Sequence, residues 1–273
     1  MKPNKAVSAD KYTEDYYLES CGGAEFFDRY GPEIPKPTLA YALKKAELKP
    51  GMEVLDIGCG RGEILFQAGK IGAGAVGTDY AEAALRLAKT VSGAPVLLCD
   101  AKALPFKDGI FDLIFFIGVI DHLHDWELEI CFAEMKRLLK PGGRVLVHTC
   151  TNRHYYKTLT YRLRKALAAV AASLGAPLRA PRPPRSSEDE QLHVNEHSYG
   201  HLRSFFQNIG WEAEIEALPN HKDLVERLYG PKLPPDFPMK AASLWKRVLN
   251  GLLFKTPLKR VLAREYFIAA APF

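Results

Sequence analysis

The chain has 273 residues, of which 47% are apolar and 25% charged, with a net charge of +5. These values are ordinary for a soluble globular protein of one elaborated domain, or one domain and a cap. The five cysteines, Cys21, Cys59, Cys99, Cys131 and Cys150, are odd in number and scattered. No two stand at Cys-x-x-Cys spacing, so a disulfide framework and a zinc knuckle are both disfavoured and a reducing cytoplasm fits.

The first residues, MKPNKAVSADKY, lack the apolar core of a signal peptide. The longest uncharged helix-like run, 166–178, has 13 residues, too few to span a bilayer. Charge is unevenly placed. Residues 1–150 hold 18 Lys+Arg and 21 Asp+Glu, a balance of −3, whereas 151–273 hold 19 and 11, a balance of +8. The second half therefore calls for its own explanation.

In chain order, an aromatic-rich segment comes first, with Tyr12, Tyr16, Tyr17, Phe26, Phe27 and Tyr30. A helix is predicted over 37–48. From there β-rich runs at 53–57, 75–79, 95–99, 112–117 and 144–149 alternate with helical patterns at 62–70, 81–90 and 126–139. Pro141-Gly142-Gly143 is a stop signal for the last of these helices. Strands apolar on both faces, separated by helices, predict a parallel sheet covered on each side.

After Cys150 the rhythm breaks. Residues 153–176 read as a basic amphipathic helix carrying Tyr155, Tyr156, Leu159, Leu163, Leu167, Val170 and Leu174. The Pro/Arg-rich stretch 177–189 reads as a mobile linker. A helix at 198–208 and strands at 211–218 and 265–271 follow, with a second insert at 219–264 containing a helix around 241–254. The expected division is a lid and leading helix at 1–50, a core at 51–152, a basic helical insert at 153–197, and the rest of the core at 198–273.

The most informative stretch is Val54-Leu-Asp-Ile-Gly-Cys-Gly-Arg-Gly-Glu63. A strand entering Gly-x-Gly and then a helix lays backbone N–H groups open to a ligand. Gly62 is followed by Glu63 and Ile64, so the Lys-Ser/Thr of a nucleotide phosphate loop is missing. The glycine spacing is one residue short of the dinucleotide fingerprint. Two carboxylates, Asp56 and Glu63, would repel a pyrophosphate but suit a cation.

This segment, Asp56-x-Gly58-x-Gly60-x-Gly62, resembles the class I S-adenosylmethionine-dependent methyltransferases. Further family motifs follow in order: Asp79 in AVGTDY, Asp100-Ala101 in LLCDAKALPF, LPFKDGIFDLIFF at 104–116, and LLKPGGRVLV at 138–147. The resemblance implies a Rossmann-like, doubly wound seven-stranded mixed sheet whose last strand is antiparallel, with an N-terminal lid and two mainly helical inserts. It implies S-adenosyl-L-methionine as cofactor, held by Asp56, Gly58, Cys59, Gly60, Gly62, Asp79, Tyr80, Asp100, Ala101 and Gly118. Asp79 is the expected ribose acceptor; it also reads as an N-cap for the helix from 81 onward.

The resemblance places the lip Asp121-His122 beneath the transferred methyl, with His122 as the candidate general base; packing at the strand end is the competing role. Tyr16 and Tyr17 on the lid, with His193, Asn195 and His197 in HVNEHS, are candidates for the acceptor side. His193 and His197 are four apart, as a metal pair would be. No third ligand is evident, so a loop leading into a helix capped by Ser198 or Asn195 is preferred. The Glu-x-x-Glu-His metal site of ubiquinone-type O-methyltransferases lacks its first carboxylate here, at Gly118, so no metal is expected.

The tetrapeptide of the adenine N-methyltransferases and the Pro-Cys of the cytosine enzymes are both absent. The expected acceptor is therefore a small or lipid-linked molecule rather than duplex nucleic acid. The basic inserts suit an anionic acceptor or a membrane surface; alternatively they solvate helices whose apolar faces cap the pocket. A cofactor-binding partner subunit without activity remains the alternative in another class. The sequence leaves the oligomeric state open.

Overall fold

A computed structural model describes residues 5–150, 152, 154–155, 158, 160–176, 192–218, 228–229, 251 and 256–273. The expected linker at 177–189 and helix at 241–254 lie outside or almost wholly outside these residues. Seven strands form one sheet: β1 (Glu53–Ile57), β2 (Gly74–Asp79), β3 (Val96–Leu98), β4 (Phe111–Ile117), β5 (Leu139–Thr149), β6 (Trp211–Ala217) and β7 (Tyr266–Pro272). Their order is β3-β2-β1-β4-β5-β7-β6. The first five pair in parallel, and β7 runs antiparallel to both β5 and β6.

The helices are α1 (Ala24–Tyr30), α2 (Pro37–Ala46), α3 (Glu63–Ile71), α4 (Glu82–Ser92), α5 (Asp125–Leu138), α6 (Tyr161–Ser173), α7 (Tyr199–Asn208) and the short α8 (Lys259–Leu262). Two faces of the sheet are covered. On one, Phe116, Phe132, Phe205, Phe206 and Trp211 form an aromatic cluster that seats α5 and α7. On the other, Leu39, Ala42, Val54, Ile64, Phe115 and Phe267 join α2 and α3 to the sheet. The central strands are apolar on both faces for this reason: Leu113, Ile114, Phe115 and Phe116 are all fully buried. Glycines stop three of the helices cleanly, with Gly72 and Gly93 in the left-handed region after α3 and α4 and Gly31 at φ 58° after α1.

Three local expectations are corrected. Helix α5 stops at Leu138, and Pro141-Gly142-Gly143 lies inside the span of β5. There Leu139 pairs with Phe111 and the register shifts before Arg144 meets Leu113, so the turn residues bulge from a strand that has already begun. β3 has only three residues, as befits an edge.

The third correction is the basic helix, which begins at Tyr161 rather than 153. Its apolar stripe does not face the body of the protein. Leu163, Leu167, Val170 and Leu174 are all exposed, and Ala168 alone of this helix is buried. Among the described residues, no helix is long and apolar enough to cross a membrane.

Candidate active site

The carboxyl ends of β1, β2, β3 and β4 open on one cavity of about 950 Å³. This is where ligands of open α/β sheets bind, at the point where strand order reverses between β1 and β4. The volume lies at the upper end of the usual range for small-molecule sites, about 300–1,000 Å³.

The glycine loop forms one wall. Gly58, Gly60 and Gly62 have φ of 71°, 49° and 80°, which side chains seldom adopt. Gly58 and Gly60 line the cavity. Gly62 does not: a Cβ there would stand 2.7 Å from the Ala88 Cα, so this glycine serves the packing of α3 against α4. Cys59 is likewise turned away and buried, packed with Leu65 and Ala88.

Asp56, expected at the cofactor, lies beneath the loop and does not line the cavity. Burial, then the neighbouring carboxylates of Asp79 and Glu63, push its pKa up to about 8. Near neutral pH it is mostly protonated, so it does not supply the standing negative charge read from the sequence.

Asp79 does reach the cavity. Its Oδ2 accepts from the Gly60 N–H at 3.1 Å and its Oδ1 from the Ala81 N–H at 3.0 Å. The buried Tyr17 side chain stands beside this carboxylate. Burial raises the pKa of Asp79, against the pull of these donors. The N-cap of α4 is Ala81, so Asp79 braces the loop before the helix rather than capping it. Tyr80, Asp100, Ala101 and Gly118 complete the expected cofactor wall. Lys102, not anticipated, bridges Asp100 at 3.0 Å and the fully buried Glu127 at 2.8 Å.

The lid is a π-helical turn, Tyr16–Ser20, closed by Cys21 N–H to Tyr16 O at 2.6 Å. Such turns concentrate at functional sites. Tyr16 and Tyr17 both line the cavity, as expected. Arg61, the variable residue inside the glycine motif, clasps the lid from below. It is 4% exposed and donates to Tyr17 O at 2.7 Å, Gly22 O at 3.3 Å and Glu63 Oε2 at 3.0 Å.

At the lip after β4, His122 faces the cavity. Its Nδ1 is 2.8 Å from the Tyr12 hydroxyl, and its ring meets that of His193 edge to face at 4.7 Å. Burial, with Tyr80 next, holds the Tyr12 phenol well above its ordinary pKa, so it stays protonated. Nε2 can accept a proton from a substrate only in the tautomer in which Nδ1 carries the ring hydrogen and donates it to the Tyr12 oxygen. Among the described residues the buried Nδ1 of His193 has no partner, and this residue lines the cavity beside His122.

Asp121 is a correction. It is fully buried behind the lip, accepting from Thr149 Oγ1 and, at 3.1 Å, from the Cys150 N–H. It does not line the cavity. Asn195 and His197 also lie outside the cavity. Asn195 donates to Leu123 O and Asp125 Oδ1, while His197 is 1% exposed and its pKa is lowered by burial. The cap of α7 is Ser198, whose hydroxyl accepts from the His201 N–H. Arg164, Arg264, Lys36 and His148 add basic groups around the cavity. Tyr12 belongs to the aromatic segment and Arg164 to the basic insert, but nothing local in the sequence singled out Tyr12, Lys36, His148 or Arg264 as lining the cavity.

Comparison with known proteins agrees with this architecture. Residues 55–147 match the methyltransferase domain family. The chain is 37% identical over 116 residues to the probable tRNA methyltransferase 9B of Bos taurus, covering 41% of this chain and 25% of that protein. It is 37% identical over 118 residues to the ubiquinone/menaquinone biosynthesis C-methyltransferase UbiE of Burkholderia multivorans, covering 40% and 47%. The chain thus spans between a quarter and a half of the length of these curated relatives. In fold it is similar to the methyltransferase solved with the Trm112 methyltransferase activator of Haloferax volcanii, at TM-score 0.58 and 17% identity over 98% of each chain. It is also similar to Haemonchus contortus phosphoethanolamine N-methyltransferase 2, solved with S-adenosyl-L-methionine, at TM-score 0.56 and 19% identity over 99% of this chain and 61% of that one. Residues 55–147 are thus a methyltransferase domain, and the sheet that carries them has the fold of solved S-adenosylmethionine-dependent methyltransferases.

Proposed function

We propose that the protein transfers the methyl group of S-adenosyl-L-methionine directly to a small or lipid-linked acceptor carrying an anionic group. The supporting observation is the continuity of one cavity. It joins the glycine loop and Asp79 at one end to His122, His193 and the basic residues Arg164, Arg264 and His148. The cofactor's sulfonium is a good leaving group, so holding donor and acceptor in line can supply much of the rate, about 7–11 kcal/mol in favourable cases. In this reading His122, whose Nδ1 meets the Tyr12 hydroxyl, receives the acceptor's proton.

The test is transfer of labelled methyl from S-adenosylmethionine into cell extract, fractionated into lipids, small metabolites and RNA. Label in an anionic lipid or small-molecule fraction supports the proposal. Label in RNA alone would instead assign an acceptor like that named for the tRNA methyltransferase relative. Cofactor binding with no transfer to any fraction would favour a partner subunit.

A second element of the reading concerns α6. Arg164 turns to the cavity while Leu163, Leu167 and Val170 are presented outward beside Arg162 and Lys165. That outward face suits the surface of an anionic bilayer that would deliver a lipid-linked acceptor.

A further inference from the structure

Behind the lip, outside the cavity, three ligand-type side chains converge. His197 and His201 are four residues apart across the start of α7, and Asp125 opens α5. Each offers one ligand atom, and these atoms lie within 4.8 Å of one another. The histidine rings are stacked, with centroids 5.4 Å apart and planes at 11°.

One hydrogen bond fixes a tautomer. His197 Nε2 stands 3.3 Å from the Ile120 carbonyl oxygen, which only accepts, so Nε2 carries the hydrogen and Nδ1 bears a lone pair. That nitrogen stands 3.4 Å from His201 Nδ1. Asp125 Oδ2 lies at ion-pair distance from the same ring, 3.3 Å from His201 Nε2.

A proton on His201 Nδ1 would join the two nitrogens, but 3.4 Å is long for an N–H···N bond. Two nitrogens bound at about 2.0–2.1 Å to one tetrahedral ion are about 3.3–3.4 Å apart, which is the separation found. We infer that His197 Nδ1, His201 Nδ1 and an Asp125 carboxylate oxygen form a binding site for a zinc-class divalent transition ion. The fourth position falls to water, since His201 and Asp125 reach solvent. The outer contacts suit such a site: the Ile120 carbonyl fixes the tautomer of His197, and Asn195 steadies Asp125 through a 2.8 Å bond.

The sequence pointed to His193 and His197 as the pair. The structure sends His193 to His122 and pairs His197 with His201, supplying in Asp125 the third ligand that was not evident. None of the three lines the cavity, so the ion would not touch the reacting atoms. It would fasten the segment entering α7 to residues 120–125, the lip that carries His122.

The test uses the full chain, stripped with chelator and shown by circular dichroism to stay folded. Cobalt(II) is then titrated and its visible bands recorded, and zinc binding is measured by calorimetry and by the shift in melting temperature. The expected result is one equivalent bound with the spectrum of a tetrahedral nitrogen/oxygen site. His201→Gln and Asp125→Asn, both at partly exposed positions, should weaken binding by about 10-fold or more and abolish the zinc-induced rise in melting temperature. Absence of the cobalt spectrum in the stripped wild type would overturn the proposal and assign a proton to the His197–His201 contact. Equal zinc affinity in wild type and His201→Gln would overturn it as well, placing the ion elsewhere.

Discussion

Arg61 holds the lid from beneath: its Nη1 donates to the Tyr17 carbonyl oxygen at 2.7 Å while its Nε pairs with Glu63 at 3.0 Å. The residue that the glycine motif leaves unspecified is thus the one that joins the motif to the N-terminal segment. Arg61→Ala would leave Glu63, 5% exposed, as an unpaired buried charge. Breaking such a pair costs about 3–5 kcal/mol. Urea unfolding should show a loss of that order, and Arg61→Leu combined with Glu63→Leu should recover much of it.

Asp79→Ala removes the acceptor for the Gly60 and Ala81 N–H groups and the expected ribose partner. Losing hydrogen bonds to a charged group costs about 1.5–3 kcal/mol, or roughly 10–100-fold in affinity. Calorimetric titration with S-adenosylmethionine measures it directly. Unchanged affinity would remove Asp79 from the cofactor site.

Asp56 makes the stability of the protein sensitive to pH. Unfolded, its carboxyl ionises near 3.9; folded, burial and its acidic neighbours push it up to about 8. Between these values the folded state binds more protons, so this residue's contribution to stability falls as pH rises through that window. Melting temperatures recorded from about pH 5 to pH 8 should decline less in Asp56→Asn than in wild type. A cationic cofactor favours the carboxylate, so its binding near neutral pH should release protons, visible as a buffer-dependent heat.

His122→Ala should lower turnover by about 10²–10⁴-fold while leaving cofactor affinity nearly intact, because the residue stands at the lip and not on the glycine wall. Tyr12→Phe keeps the ring but removes the hydroxyl on Nδ1. It should move the acidic limb of the pH–rate profile. A loss of rate that is uniform across pH would mark His122 as a positioning residue.

The outward stripe of α6 predicts salt-sensitive adhesion to anionic vesicles. Each basic residue near such a surface adds about 1 kcal/mol, screened by salt. Leu167→Glu should abolish co-sedimentation at low salt without altering cofactor binding, since Leu167 is exposed and outside the cavity. Failure of the wild type to sediment at low salt would exclude the membrane as the source of the acceptor.

Much of the sheet was legible because its strands obey simple rules. β1 and β4 are apolar on both faces, and the motifs ending β1, β2 and β3 recur in family order. The lining of the cavity followed from them where a residue ends a strand, as at Asp79 and Gly118. It failed where the same motif serves packing: Gly62 against Ala88, Cys59 beside Leu65, Asp56 under the loop. Spacing alone does not distinguish a glycine that admits a ligand from one that admits a helix. The acceptor side was least legible. Tyr12 meets His122 across 110 residues, and Asp125 meets His201 from a different helix. The periodicity of α6 gave the apolar stripe correctly but not its direction, because a helix with two contrasting faces can be docked by either.

The Tyr17 ring lies over Gly60, 3.7 Å from where a Cβ would stand, on the wall that carries Asp79. Arg61 holds the backbone of the same residue. The lid therefore meets the glycine loop on a short tether, at high effective concentration. A group held so sets how fast a ligand comes and goes as well as how tightly it is held. Tyr17→Ala removes the ring and keeps the backbone that Arg61 grips, so it should speed exchange of S-adenosylmethionine, read by stopped flow, more than it alters the affinity.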